Sequence, residues 1–81
     1  MIYYVYVLKS ERDGKRYIGI TKNVNVRLKD HNRGKVRSTY KRQPLKLLYQ
    51  EEYATTGEAK NRERYLKSGA GREWLDRRSI K

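Results

Sequence analysis

The chain has 81 residues, 37% of them charged, with Lys+Arg 21 against Asp+Glu 9 and a formal net charge of +12. Zero cysteines exclude a disulfide scaffold, a thiolate metal site and a cysteine nucleophile, and a single histidine, His31, excludes sites built on several imidazoles. The length suits one domain (residues 1–81) with a thin core, and no apolar run approaches the ~18–20 residues that span a bilayer.

Ile2–Leu8 is rich in β-branched and aromatic residues and apolar on both alternating sets. It therefore reads as a central strand covered on both faces. No basic stretch precedes it and no small-residue cleavage site follows, so it does not read as a signal peptide, and a soluble cytoplasmic protein is expected. Arg12-Asp13-Gly14-Lys15 is a turn, and Arg16-Tyr17-Ile18-Gly19-Ile20 returns as the second strand of a hairpin. Asn23 is a suitable N-cap for a helix carrying Val24, Leu28 and His31, which Gly34 stops. A basic loop from Lys35 to Gln43 and then Pro44 lead into a third strand, Leu45–Gln50. Thr55-Thr56-Gly57-Glu58 has capping-box spacing and opens a second helix to about Lys67. Gly69 and Gly71 are expected to break it, and Arg72 to Arg78 to form a short last helix with Trp74. The order β-β-α-β-α-α predicts an α+β domain, a small three-stranded, mostly antiparallel sheet flanked by helices.

The basic residues are spread along the chain, so the positive field belongs to the folded domain, and nucleic acid phosphates are its expected partner rather than a membrane. Lys35, Arg37, Lys41 and Arg42 crowd the loop before the third strand and are candidate phosphate contacts. Arg27 and His31, four apart, share a helix face; the one offers a forked donor for phosphate oxygens and the other can move a proton near pH 7. Glu63 lies on or beside the Ala59, Arg62, Leu66 stripe that should face the sheet. There it either pairs with a basic neighbour such as Lys67 or holds a hydrated Mg²⁺ that also contacts substrate phosphate. Eight Tyr and no Phe suggest that some hydroxyls are used, and Tyr6 and Tyr17, on adjoining strands, can converge on one side of the sheet.

Together these residues resemble the GIY-YIG nuclease superfamily. Tyr4-Val5-Tyr6 stands at the first motif, with Tyr4 and Val5 where the name has Gly and Ile. Tyr17-Ile18-Gly19 is the second motif as written, so Gly19 is a motif residue. Arg27 and His31 follow the Asn23 lead-in, and Glu63 stands for the later glutamate. The resemblance runs from about Tyr3 to Lys67 and is nearest to the small stand-alone bacterial branch; no asparagine follows the second helix in Gly69-Ala70-Gly71-Arg72.

The resemblance implies a metal-dependent endonuclease that hydrolyses phosphodiesters, DNA being the expected substrate, by an activated water. Glu63 would hold Mg²⁺ or Mn²⁺, and Arg27 would bind the nonbridging oxygens. Tyr6, Tyr17 and His31 would surround the water, with Tyr6 or Tyr17 as the base and His31 as hydrogen-bond partner or relay. No separate recognition element is available, so shape-selective cutting or a protein partner supplying specificity is expected. The alternatives are a non-catalytic nucleic-acid-binding module on the same fold and a basic protein-interaction subunit.

Overall fold

The computed structural model describes residues Met1–Lys81. Strands β1 (Tyr3–Ser10), β2 (Arg16–Thr21) and β3 (Leu45–Tyr53) form one sheet in the order β2-β1-β3, with both pairings antiparallel. Helices α1 (Val24–Asn32), α2 (Thr56–Lys67) and α3 (Gly69–Arg77) complete the expected β-β-α-β-α-α order. No helix is long and apolar enough to cross a membrane.

The double apolar pattern of β1 is used on both faces. Val5 and Val7 pack with Ile18 of β2 and with Ala59, Leu66 and Leu75 of α2 and α3. Tyr6 and Leu8 point the other way, onto Val24 of α1 and Leu45 of β3. Asn32 ties the end of α1 to the start of β3, donating through Nδ2 to the Leu45 carbonyl and accepting the Leu45 N–H at Oδ1. Both helix starts in the expected places are capped as their sequences suggest: the Asn23 side chain accepts from the Val26 N–H, and the Thr55 side chain from the Glu58 N–H.

Several boundaries differ from the sequence reading. β1 runs on to Ser10 and β3 to Tyr53, because Lys9 and Ser10 pair with Lys46 and Leu45 while Glu51 and Tyr53 pair with Val5 and Tyr3. The larger difference is the last helix, which begins at Gly69 rather than Arg72. Ser68 ends α2 and caps α3 at once, its side chain accepting from the Gly71 N–H. The glycines fall in the first turn, where the N–H groups lack intrahelical partners anyway. Gly71 is there for closeness: a Cβ on it would collide with the Tyr65 carbonyl and the Leu66 backbone. The two helices can meet at this angle only because that side chain is missing.

Candidate active site

A cleft of about 500 Å³ opens along the outer edge of β2. Tyr6, Tyr17 and Gly19 line it from the hairpin, and Arg27 reaches it from α1. From the opposite face α2 contributes Lys60, Glu63, Arg64 and Lys67, one helical stripe at i, i+3, i+4 and i+7.

Register explains how Tyr6, on the central strand, reaches the edge. Tyr6 stands directly opposite Gly19 in the ladder, and Tyr17 opposite Leu8, so Tyr6 and Tyr17 are diagonal neighbours on one face. Their ring centroids are 6.3 Å apart. The Tyr6 ring lies across Gly19: a Cβ there would come within 2.6 Å of the Tyr6 hydroxyl and 3.1 Å of the Tyr17 ring. Any side chain at position 19 would therefore push the Tyr6 hydroxyl out of place.

Behind Tyr6 lies His31, buried completely and outside the cleft lining. Its ring stands edge-on to both tyrosines, with centroids 5.8 Å from Tyr6 and 5.0 Å from Tyr17. Nε2 is 2.9 Å from the Tyr6 hydroxyl and Nδ1 is 2.6 Å from the Thr39 hydroxyl. Burial first, then the Arg27 guanidinium, lowers the His31 pKa to about 4, against a weaker pull from Asp30. The imidazole is thus neutral at pH 7, with one nitrogen donating and one accepting. The assignment that satisfies each hydrogen has Tyr6 O–H donating to Nε2, Nδ1–H donating to Thr39 Oγ1, and the Thr39 hydroxyl donating to the Val36 carbonyl, 3.5 Å away. Burial also raises the Tyr6 phenol above its ordinary pKa, with the adjacent Arg27 guanidinium opposing the rise. Tyr6 is therefore a neutral hydroxyl whose O–H is hydrogen-bonded to an imidazole nitrogen.

The two charged groups are held loosely. The only salt-bridge partner of Glu63 is the Lys67 ammonium, 3.1 Å from Oε2, on a lysine that is itself more than half exposed. Arg27, half-buried, has no carboxylate partner at all; the ion pairs of this protein are Arg16–Asp76, Arg42–Asp13, Arg62–Glu51, Lys67–Glu63 and Arg77–Glu73. An unpaired guanidinium and a single weakly held carboxylate in one cleft can take opposite ends of a phosphate–cation unit.

Of the residues singled out in the sequence, Tyr6, Tyr17, Arg27 and Glu63 surround one cleft, with Gly19 beneath them, while His31 stands one layer behind. Asn23 is the helix cap that starts α1 one turn before Arg27. The basic loop stands elsewhere. None of Lys35, Arg37, Lys41 and Arg42 lines this cleft, and Arg42 is occupied by Asp13 at 3.0 Å and the Lys15 carbonyl at 3.1 Å. What that loop brings to the site is Thr39, fully buried against His31. Thr39 carried no sequence signal. Lys60, Arg64 and Lys67 did, since their spacing with Glu63 marks one face of α2.

The GIY-YIG catalytic domain model matches residues 2–74. The chain belongs to the GIY-YIG family. This is a nuclease family, and the GIY-YIG match covers both tyrosine motifs, Arg27, His31 and Glu63. Among its relatives are UPF0213 proteins of Staphylococcus aureus strains Mu3 and N315, each 43% identical over 67 residues, covering 82% of this chain and 80% of the relative. A solution NMR structure of a UPF0213 protein from Bacillus halodurans is 35% identical, with a TM-score of 0.57 over 93% of this chain and 82% of that one. This chain is thus a GIY-YIG protein similar to the UPF0213 group.

Proposed function

We propose that this protein is a metal-dependent endonuclease that hydrolyses nucleic acid phosphodiesters, DNA foremost, with a water molecule as the attacking group. The observation that carries this reading is the pairing of Arg27, without a carboxylate partner, and Glu63, held by one exposed lysine, in a cleft with two tyrosines. A module that only bound nucleic acid would gain nothing from a carboxylate there, since Glu63 repels phosphate.

Glu63 fits a hydrated Mg²⁺ or Mn²⁺. No three His, Asp or Glu converge anywhere in the molecule, and a single carboxylate suits an ion that keeps several waters and shares phosphate oxygens with the substrate. When bound, such an ion polarises the phosphate and stabilises the leaving oxygen. Arg27 binds the nonbridging oxygens and holds them as charge builds during attack. Tyr17 lines the same cleft and orients the water. The water oxygen bonds to phosphorus as the ester P–O bond to the leaving strand breaks, and the leaving oxygen takes a proton from solvent water. Its proton passes to the Tyr6 oxygen while the Tyr6 proton moves to Nε2 of His31. The low basicity of His31 makes it a transient holder, and the proton returns through Tyr6 to solvent after the attack. Specificity comes from substrate shape or from a protein partner.

The test is cleavage of supercoiled plasmid and of nicked, branched and single-stranded oligonucleotides at low salt, with Mg²⁺ or Mn²⁺ against chelator. Cutting should require the metal, and Glu63→Ala should lose about 10³-fold in rate, the scale of several kcal/mol of electrostatic stabilisation. Equal binding by both proteins with no cutting by either would leave the binding module instead.

A further inference from the structure

A second, larger cleft of about 930 Å³ adjoins the first. Tyr17 and Lys67 line both, so the two adjoin at these side chains, beside the Glu63–Lys67 pair. Its floor is the α2-facing side of the hairpin, where Lys9 pairs opposite Arg16, and α3 contributes Arg72 and Asp76. The charge along it is one-sided. Asp76 is the single acid in the lining, and Arg16 already holds it at 2.8 Å while also donating to the Ile80 carbonyl. Lys9, Lys15 and Arg72 also line the groove and take part in no ion pair.

We infer that this groove is a backbone track: it takes the sugar–phosphate chain of the substrate strand on one side of the phosphodiester held at Arg27 and Glu63. The inference deepens the nuclease reading and rests on it for the position of the cut. Lys9, Lys15, Arg72 and Lys81, four cations outside any ion pair on a concave surface with a low-dielectric floor of Ile18 and Leu66, focus a positive field along a line, which suits a chain of phosphates better than a compact anion. Lys67, at the junction, can serve Glu63 when the cleft is empty and a phosphate when it is filled. The track also separates two kinds of basic residue. Lys9, Lys15 and Arg72 line the groove that adjoins the cleft at Tyr17 and Lys67, whereas Lys35, Arg37 and Lys41 line neither cleft.

The experiment compares two variants of equal charge, Lys9→Gln/Lys15→Gln/Arg72→Gln and Lys35→Gln/Arg37→Gln/Lys41→Gln. Binding of labelled DNA and RNA oligonucleotides of one sequence is followed by anisotropy across a salt series, with chelator present. The groove variant should bind with a log K against log [salt] slope shallower by about 2, the release expected for three lost phosphate contacts, and the loop variant by less than about 1. Equal changes in the two variants would overturn the track, because net charge alone would then explain binding. So would a larger change in the loop variant. A selective change with DNA alone, RNA alone or both supports it and names the strand. The measurement needs no catalysis: a selective slope change in a protein that cuts nothing keeps the track and removes the hydrolase.

Discussion

Two clusters of the same residue types flank α2, and adjacent positions on that helix feed them. Arg62 turns towards Glu51 of β3, while Glu63 turns into the cleft with Arg27, Tyr6 and Tyr17. In the first cluster every polar group is matched. Glu51 accepts from Arg62 Nε and a terminal Arg62 nitrogen at 2.9 and 3.0 Å, from the Tyr53 hydroxyl at 2.7 Å, and from the Tyr49 hydroxyl. Burial alone would raise the Glu51 carboxyl, but the Arg62 and tyrosine hydrogen bonds outweigh it and hold it below the usual carboxylate value. Tyr53 is pushed up to about 12 by burial and by that bond. Trp74 packs against both the Arg62 and the Arg78 guanidinium, 4.5 and 4.3 Å from its ring centroid. Around the cleft the same chemistry is left open, with a guanidinium lacking a carboxylate and a carboxylate lacking all but a lysine. A matched polar cluster stabilises the fold, and an unmatched one is available to a ligand.

This contrast can be broken by exchanging the roles of the two glutamates. Glu51→Ala strands a partly buried guanidinium and two hydroxyls, and should cost about 3 kcal/mol in urea unfolding. Glu63→Ala removes one i,i+4 pair with an exposed lysine, and should change stability by less than about 0.5 kcal/mol while slowing cleavage about 10³-fold. Similar unfolding midpoints for the two variants would erase the distinction.

Acid titration sharpens the part played by the relay. The unfolded chain protonates His31 near its ordinary value of 6.5 and the folded protein only near 4. Stability should therefore be full above about pH 6.5 and fall as the pH drops towards 4, by on the order of 3 kcal/mol at most. Denaturant unfolding of wild type and His31→Gln at several pH values isolates this contribution, since the variant should lack that slope. A wild-type slope retained in the variant would assign the titration to another group.

Gly19 tests the placement of the Tyr6 hydroxyl itself. Gly19→Ala places a methyl group 2.6 Å from the Tyr6 hydroxyl and should cost about 1–3 kcal/mol as the ring shifts. Cleavage should fall further than stability does, because the displaced hydroxyl loses its geometry with Nε2. Thermal melts and rates measured on one preparation give both numbers, and equal free-energy losses would argue for simple overpacking.

Much of this was legible in local pattern. The run Ile2–Leu8, apolar on both alternating sets, specified a strand covered on both sides, and the hairpin, both N-caps and the order of elements follow from short-range chemistry. The start of α3 was not legible: Gly69 and Gly71 read as breakers, and only the crossing with α2 turns Gly71 into a packing requirement. Nor was the fate of the basic loop, whose Arg42 is captured by the hairpin turn and whose Thr39 supports His31.

By itself, the sequence determined which chemical groups this protein carries and their order along strands and helices, because helix and strand periods act over a few residues. Tertiary structure alone decided which groups meet. Glu51 and Glu63 are alike as residues, yet strand register and the facing of α2 give one four hydrogen bonds and the other an open cleft. The same packing buries His31 behind Tyr6 and brings Arg72 of α3 to the groove that Lys9 and Lys15 line from the hairpin. Whether a charge is matched depends on partners brought in from other elements, and no window of neighbouring residues contains them.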